Sequence, residues 1–171
     1  MLEVYPLGKA VVPGKFEPTT VDAAINSIAV LPRSLRNVVE GCGDLDHPIR
    51  DGAWSIRALT HHIADSHMNA FIRLKLALTE ELPTVKSYDE VAWSRQADAA
   101  MGIGVSLDLV DALHSRWVEL LKSLTPAEFE RPWQSSDGSG PRPAWRIPIT
   151  YAWHGEHHVA QIRQAREFYG L

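Results

Sequence analysis

Cysteine is almost absent from this 171-residue chain, Cys42 being the only one. A single thiol cannot close an intrachain disulfide, so the class of small secreted scaffolds is excluded, as are cysteine-rich zinc modules. An excess of basic charge is also missing. With 17 Lys and Arg against 21 Asp and Glu, a formal net charge of -4 and no Lys/Arg-rich run, the chain lacks the surface that tracks nucleic-acid phosphates. No stretch approaches the roughly 18 uninterrupted apolar residues of a membrane span. The first segment, to Phe16, carries Glu3, Lys9, Lys15, Pro6 and Pro13 and has no apolar centre of the signal-peptide kind. These absences predict a cytoplasmic protein with neither nucleic acid nor membrane as partner.

What is present is helical periodicity. Pro6, Gly8, Pro13, Gly14 and Pro18 punctuate residues 1–18, which read as an extended arm. A first helix, capped by Thr19 or Thr20 and reaching about Glu40, carries Ala24, Ile28, Leu31, Leu35, Val38 and Val39 at helical spacing, with a kink expected at Pro32. Ser55 caps a second helix to about Glu80. Glu81 to Val105 is a long connection with one helical turn near Tyr88 to Trp93. Ser106 is expected to cap a third helix to about Leu124 that buries Leu109, Leu113, Trp117, Leu120 and Leu121. Thr125-Pro126-Ala127-Glu128 opens a short helix by the capping-box pattern. Ser135 to Pro143 reads as a loop, and Pro148 as the start of a last helix to about Tyr169, ended by Gly170. Without βαβ alternation or an Asn-Gly hairpin signal, the expected fold is all-α: one domain over residues 1–171, a four-helix bundle with a long connection between helices 2 and 3.

Histidine is the oddity of the composition, at eight residues. His154 and His158 lie one turn apart on the last helix, on the face that also carries Tyr151, Gly155, Gln161, Ile162, Ala165 and Tyr169, with Glu156, Arg163 and Glu167 opposite. The pair points to the core. Unpartnered polar groups there cost roughly 1–3 kcal/mol each, and a metal ion satisfies both imidazoles at once. Position 155 is Gly, so the zinc-protease motif His-Glu-x-x-His is absent. The second helix offers His61, His62 and His67 for a third ligand. His61 falls on the Met68, Ile72 and Thr79 flank. His67 lies in the stripe of Ile56, Leu59, Ile63, Ala70 and Leu74, where a core histidine bonded to a backbone or hydroxyl group is the competing reading. His62 sits at the stripe's edge and heads a polar column of Ser66, Asn69 and Arg73, a candidate lining for substrate. Three imidazoles on two helices leave a fourth position open to water, the pattern of a catalytic site. Asp65, one turn after His62, is a candidate for orienting an imidazole or accepting a proton, against the plainer reading of a solvated charge. His61 and His157 read as supporting or surface residues. His47 and His114 show no partner in the sequence and receive no role.

The strings Trp54-Ser55-Ile56-Arg57, His61-His62-Ile63-Ala64-Asp65-Ser66-His67-Met68-Asn69 and Tyr151-Ala152-Trp153-His154 with His157-His158 resemble the DinB/YfiT-like metalloenzymes. The resemblance extends from Tyr5-Pro6-Leu7-Gly8 into the last helix and departs most between Arg131 and Ile147. It implies a four-helix bundle and a homodimer, with one divalent metal per subunit, zinc or nickel, on His62, His154 and His158. It further implies a metal-dependent hydrolase acting on a small molecule. Relatives of this kind also include thiol-dependent transferases using bacillithiol, mycothiol or glutathione. The alternatives are therefore a thiol S-transferase and a non-enzymatic metal or small-molecule binding module, since fold does not settle function.

Overall fold

The computed structural model describes residues 2–171; Met1, which belongs to the expected arm and domain, lies outside them. In chain order the elements are helix α1 (Pro18–Val39), helix α2 (Ile56–Thr79), strand β1 (Thr84–Val85), helical turn α3 (Glu90–Trp93), a 3-10 turn (Ala97–Ala100) and helix α4 (Gly104–Ser123). They continue with helical turn α5 (Pro126–Phe129), strands β2 (Pro132–Ser135) and β3 (Pro141–Pro143), and helix α6 (Arg146–Tyr169). The four long helices form the expected four-helix bundle. α1 packs on α6 and α4, and α2 packs on the same two. The consecutive pair α1 and α2 therefore occupies opposite corners, and so does the pair α4 and α6.

Local chemistry explains most of the helix ends and moves three of them from their expected positions. The Ser55 side chain accepts the Ala58 N–H at the start of α2, and the Thr125 and Glu128 capping box opens α5. Both match the sequence reading. α1 begins at Pro18 rather than behind a threonine cap, because proline lacks the N–H that the first turn leaves unpaired and its φ already suits a helix. It then runs on through Pro32 without interruption. α4 starts at Gly104, two residues before the expected Ser106 cap, and the Ser106 hydroxyl is engaged by His61 instead. α6 starts at Arg146, which puts Pro148 inside the first turn, where no intrahelical acceptor is lost. Gly170, at φ 70°, ends it in the left-handed conformation that glycine adopts without a Cβ penalty.

The loop reading of residues 135–143 needs correction. β2 and β3 pair antiparallel, with Trp133 opposite Arg142, and β1 joins β2 in parallel, with Thr84 opposite Gln134. Strands this short, bounded by Pro132, Pro141 and Pro143, carry no readable alternation. The turn between β2 and β3 holds Asp137-Gly138, with Gly138 at φ 78°.

The core divides into two apolar clusters. One gathers Ile28, Leu74, Trp117 and Ile147, the other Leu35, Ile56, Ile63 and Ile162. On each helix that carries core histidines the change between clusters falls beside them: Ala64 and Ala70 flank His67, Val110 and Leu113 precede His114, and Ala152 and Val159 flank His154. A layer of imidazoles thus crosses the bundle interior. The buried stripe of α4 runs Leu107, Val110, His114, Trp117 and Leu121, so Leu109, expected to be buried, falls on its flank at 40% exposure. A Cβ on Gly155 would collide with both methyl groups of Leu31, so a larger residue there would have to displace the buried Leu31 side chain where α6 rests on α1.

Candidate metal centre

α2 and α6 are neighbours in the bundle, and His62 on one faces His154 and His158 on the other. The Nε2 atoms of His62 and His154 are 3.1 Å apart and those of His154 and His158 3.2 Å. One ring nitrogen from each of the three residues falls within 4.8 Å of the other two. Nitrogens bound at 2.0–2.1 Å to one tetrahedral zinc lie roughly 3.3 Å apart, close to these spacings. Trp54, from the loop before α2, sets its ring 4.7 Å from His62, edge to face.

The hydrogen-bond network fixes which nitrogens carry protons. Gln161 Nε2 donates to the Val4 carbonyl at 2.8 Å, so its Oε1 must be the atom that meets His158 Nδ1, also at 2.8 Å. His158 therefore holds its proton on Nδ1, and its Nε2 lone pair faces the other rings. A longer chain fixes His154. The Ile28 carbonyl can only accept, so His114 Nδ1 donates to it at 2.7 Å and leaves His114 Nε2 as an acceptor. His67 Nδ1 donates to that nitrogen at 3.0 Å, and His154 Nδ1 in turn donates to His67 Nε2 at 3.2 Å. His154 Nε2 is left with a lone pair directed at His158 Nε2, which carries one too. Two acceptors in contact repel unless a cation stands between them, and this pairing is the observation that fits a metal ion to the site.

Burial keeps these rings neutral. It pushes His62 down to about 4 and His158 down to about 3, the His62 and His157 imidazoles adding to the His158 shift while the Gln161 bond opposes it. His154 is held well below the ordinary imidazole value by burial first and by neighbouring imidazoles second. Neutral imidazole is the form that binds metal.

Two cavities meet the cluster. One of about 250 Å³ is bounded by Ile49, Ala53, Trp54, Leu59 and His158. A second, of about 30 Å³, has His61, His62, Asp65 and Tyr88 in its wall, room enough for a water molecule. Burial, with the Asp98 charge adding and His61 opposing, raises the Asp65 carboxyl above the usual carboxylate range. Burial also pushes the Tyr88 hydroxyl up to about 12, against a hydrogen bond from Ser66.

The remaining sequence candidates separate. Ser66 is buried beside Tyr88. Asn69 turns back to donate to the Asp65 carbonyl at 2.8 Å, and Arg73 reaches the Tyr151 hydroxyl at 3.1 Å, beside a different cavity. The column on α2 does not converge on one place. His67 is the core histidine the sequence allowed, at 0% exposure, but its partner is His114 rather than a backbone or hydroxyl group. His114, given no role in the sequence, is buried at 1% exposure and bonds both His67 and the Ile28 carbonyl. His61 is a latch, donating from Nε2 to the Met101 carbonyl at 3.1 Å and accepting from Ser106 on Nδ1 at 2.7 Å. His157 is buried and stacks between Trp153 and Tyr5, and His47 donates to the Pro48 carbonyl beside Tyr169. Gln161 had a legible signal, three residues after His158 on the same face. His114 had one in its place within the buried stripe of α4.

Fold and site together define a helical-bundle protein with an imidazole cluster between two helices. Residues 28–162 match the DinB superfamily, and the chain belongs to it. A protein of Oceanobacillus iheyensis carrying the name "Putative metal-dependent hydrolase" is 44% identical over 164 residues, 95% of each chain. One of Geobacillus kaustophilus with the same name is 42% identical, covering 95% of this chain and 93% of that one. Among solved structures, YfiT from Bacillus subtilis superposes with a TM-score of 0.93 at 38% identity, over 97% of both chains; it is described as "a probable metal-dependent hydrolase with an unusual four-helix bundle topology". In the present bundle α1 and α2 are placed diagonally. No helix among the described residues is long and apolar enough to cross a membrane.

Proposed function

We propose that this protein is a metal-dependent hydrolase of small molecules in which His62, His154 and His158 hold one divalent ion per subunit. The reading is carried by the two facing lone pairs of His154 and His158, which a cation placed between them satisfies together. Imidazole donors suit zinc and nickel alike. When bound, such an ion supplies Lewis acidity and lowers the pKa of coordinated water. The chain's own groups do the rest. Gln161 and the His67–His114 pair hold two rings in one tautomer and orientation. Trp54, against the His62 ring, and Ile49, Ala53 and Leu59, with Arg50 and Gln161 beside them, shape the larger cavity on the substrate side. On the opposite side the Asp65 carboxylate, beside the small cavity and raised above the usual carboxylate range by burial, is placed to accept the proton that the attacking water gives up. A homodimer in a cytoplasmic setting is part of the same proposal, supported by the family resemblance and by the single unpaired cysteine.

The test is metal analysis of the purified protein beside its His158→Ala variant, followed by a hydrolysis screen run with and without added thiols. One equivalent of zinc or nickel per chain, lost in the variant, with thiol-independent turnover is the expected result. Unchanged metal content in the variant overturns the site. Turnover that consumes a thiol stoichiometrically replaces the hydrolase with an S-transferase, and metal binding without turnover leaves a binding module.

A further inference from the structure

A separate cavity of about 120 Å³ lies at the N-terminal end of α6, lined by Arg73, Arg142, Arg146, Trp133, Thr150 and Tyr151. Its three guanidinium groups come from three different elements, α2, β3 and α6, and all three arginines are partly buried. Among the described residues, no carboxylate lies within ion-pairing distance of any of them. Asp137, whose carboxylate feels the Arg142 charge, is exposed and accepts the Ser139 N–H at 2.9 Å. The start of α6 adds to the imbalance. Its first turn has no acidic residue and no side-chain cap, so the positive end of the helix dipole adds to the arginines.

The donors are as unbalanced as the charge. Arg73 and Arg142 lie over the Trp133 ring, at 4.9 and 5.8 Å from its centre, and Arg73 Nη1 meets the Tyr151 hydroxyl. Arg73 Nε and Trp133 Nε1 are nonetheless buried without an acceptor. Stacking on an aromatic face offsets part of the cost of clustering like charges, but it accepts no N–H bond in the plane of the guanidinium. The missing complement is an acceptor with negative charge and more than one oxygen.

We infer that this pocket is an oxyanion-binding subsite for a carboxylate or phosphate group carried by a small molecule. Guanidinium forks match both anions, and the cavity is large enough for either. Tyr151 joins the subsite to the imidazole layer, its hydroxyl on Arg73 and its ring 5.3 Å from His67 and 5.6 Å from His154. The inference rests on the arginines and stands without the metal-site reading.

The test is calorimetric titration of the purified full-length protein with inorganic phosphate and with succinate, at ionic strength fixed with sodium chloride. It is run beside an Arg142→Gln/Arg146→Gln double variant and beside His158→Ala. The expected result is saturable binding of one anion per chain, weakened at least 10-fold in the double variant and changed less than twofold in His158→Ala. The tighter of the two anions then identifies the ligand as phosphate or carboxylate. Thermal melting gives a second readout on the unaltered protein: the anion raises Tm above the sodium chloride control. Absence of saturable binding and of any Tm rise, or equal affinity in the double variant, overturns the subsite. Binding lost in His158→Ala but kept in the double variant places the anion at the imidazole cluster and overturns it as well.

Discussion

His67 Nδ1 donates to His114 Nε2 across 3.0 Å, and this bond is the middle link of a chain that touches all four long helices. It runs from the Ile28 carbonyl on α1 through His114 on α4 and His67 on α2 to His154 on α6. Because it ends on a carbonyl, which takes no proton, it orients His154 rather than conducting protons away. Nitrogen-15 NMR of the imidazole rings is expected to show His67, His114 and His154 all protonated on Nδ1. His114→Ala leaves the buried His67 donor without an acceptor, at about 1–3 kcal/mol of stability, and weakens metal binding by about tenfold. An Nε2-protonated His67 in the unaltered protein would contradict the chain.

Gln161 does for His158 what His67 does for His154, and it is itself held by the Val4 carbonyl of the N-terminal arm. Gln161→Ala is expected to lower metal affinity by roughly 10-fold while the helical circular dichroism signal stays unchanged. Equilibrium dialysis against a competing chelator measures it. An affinity equal to that of the unaltered protein would leave the glutamine with a packing role only.

Acid should destabilise the metal-free protein in a defined window. His62 and His158 titrate near 4 and 3 in the fold, against about 6.5 when unfolded, so below pH 6.5 the unfolded chain binds more protons than the folded one. Stability is therefore full above pH 6.5 and falls as pH drops toward the folded values, by up to about 1.4 kcal/mol per pH unit for each such group. Urea denaturation in the presence of chelator, repeated from pH 7.5 to 4.5, gives the slope. His62→Gln should flatten it, and an unchanged slope would count against burial of that ring in neutral form.

Asp65→Asn removes the proposed proton acceptor without touching the three imidazoles. Metal content should stay at one equivalent while kcat falls by about 10²–10⁴-fold, and the acidic limb of the pH–rate profile should disappear. Retained activity with an unaltered profile would assign Asp65 to solvation alone.

Gly155 is the point at which α6 rests on Leu31. Gly155→Ala should cost about 1–3 kcal/mol through overpacking, net of the helix propensity gained, and thermal melting checks it.

Much of the bundle was legible because an amphipathic helix writes its period into the chain. The stripes of α1, α2 and α6, the Ser55 cap, the Thr125 capping box and the Gly170 stop all follow from local rules. The face shared by His154 and His158 was legible for the same reason. Where the sequence misled, a tertiary contact had taken over a local signal. Ser106 has a cap's chemistry but spends its hydroxyl on His61. β2 and β3 have no pattern of their own and are held by pairing and by Trp133 under two arginines.

The sequence by itself determined the helices, their buried faces and the pair of histidines one turn apart, since each is a property of residues a few positions from one another. Which imidazoles meet was decided only by the tertiary structure. The diagonal placement of α1 and α2 puts α6 beside α2 and α4 beside both α1 and α2, so that His62 meets His154, and His114, whose partner the sequence does not show, bonds His67. The bonds that join His67 to His114, His114 to Ile28 and His67 to His154 likewise span 47, 86 and 87 positions, and Arg73 lies 69 and 73 positions from Arg142 and Arg146. No local periodicity records such a distance.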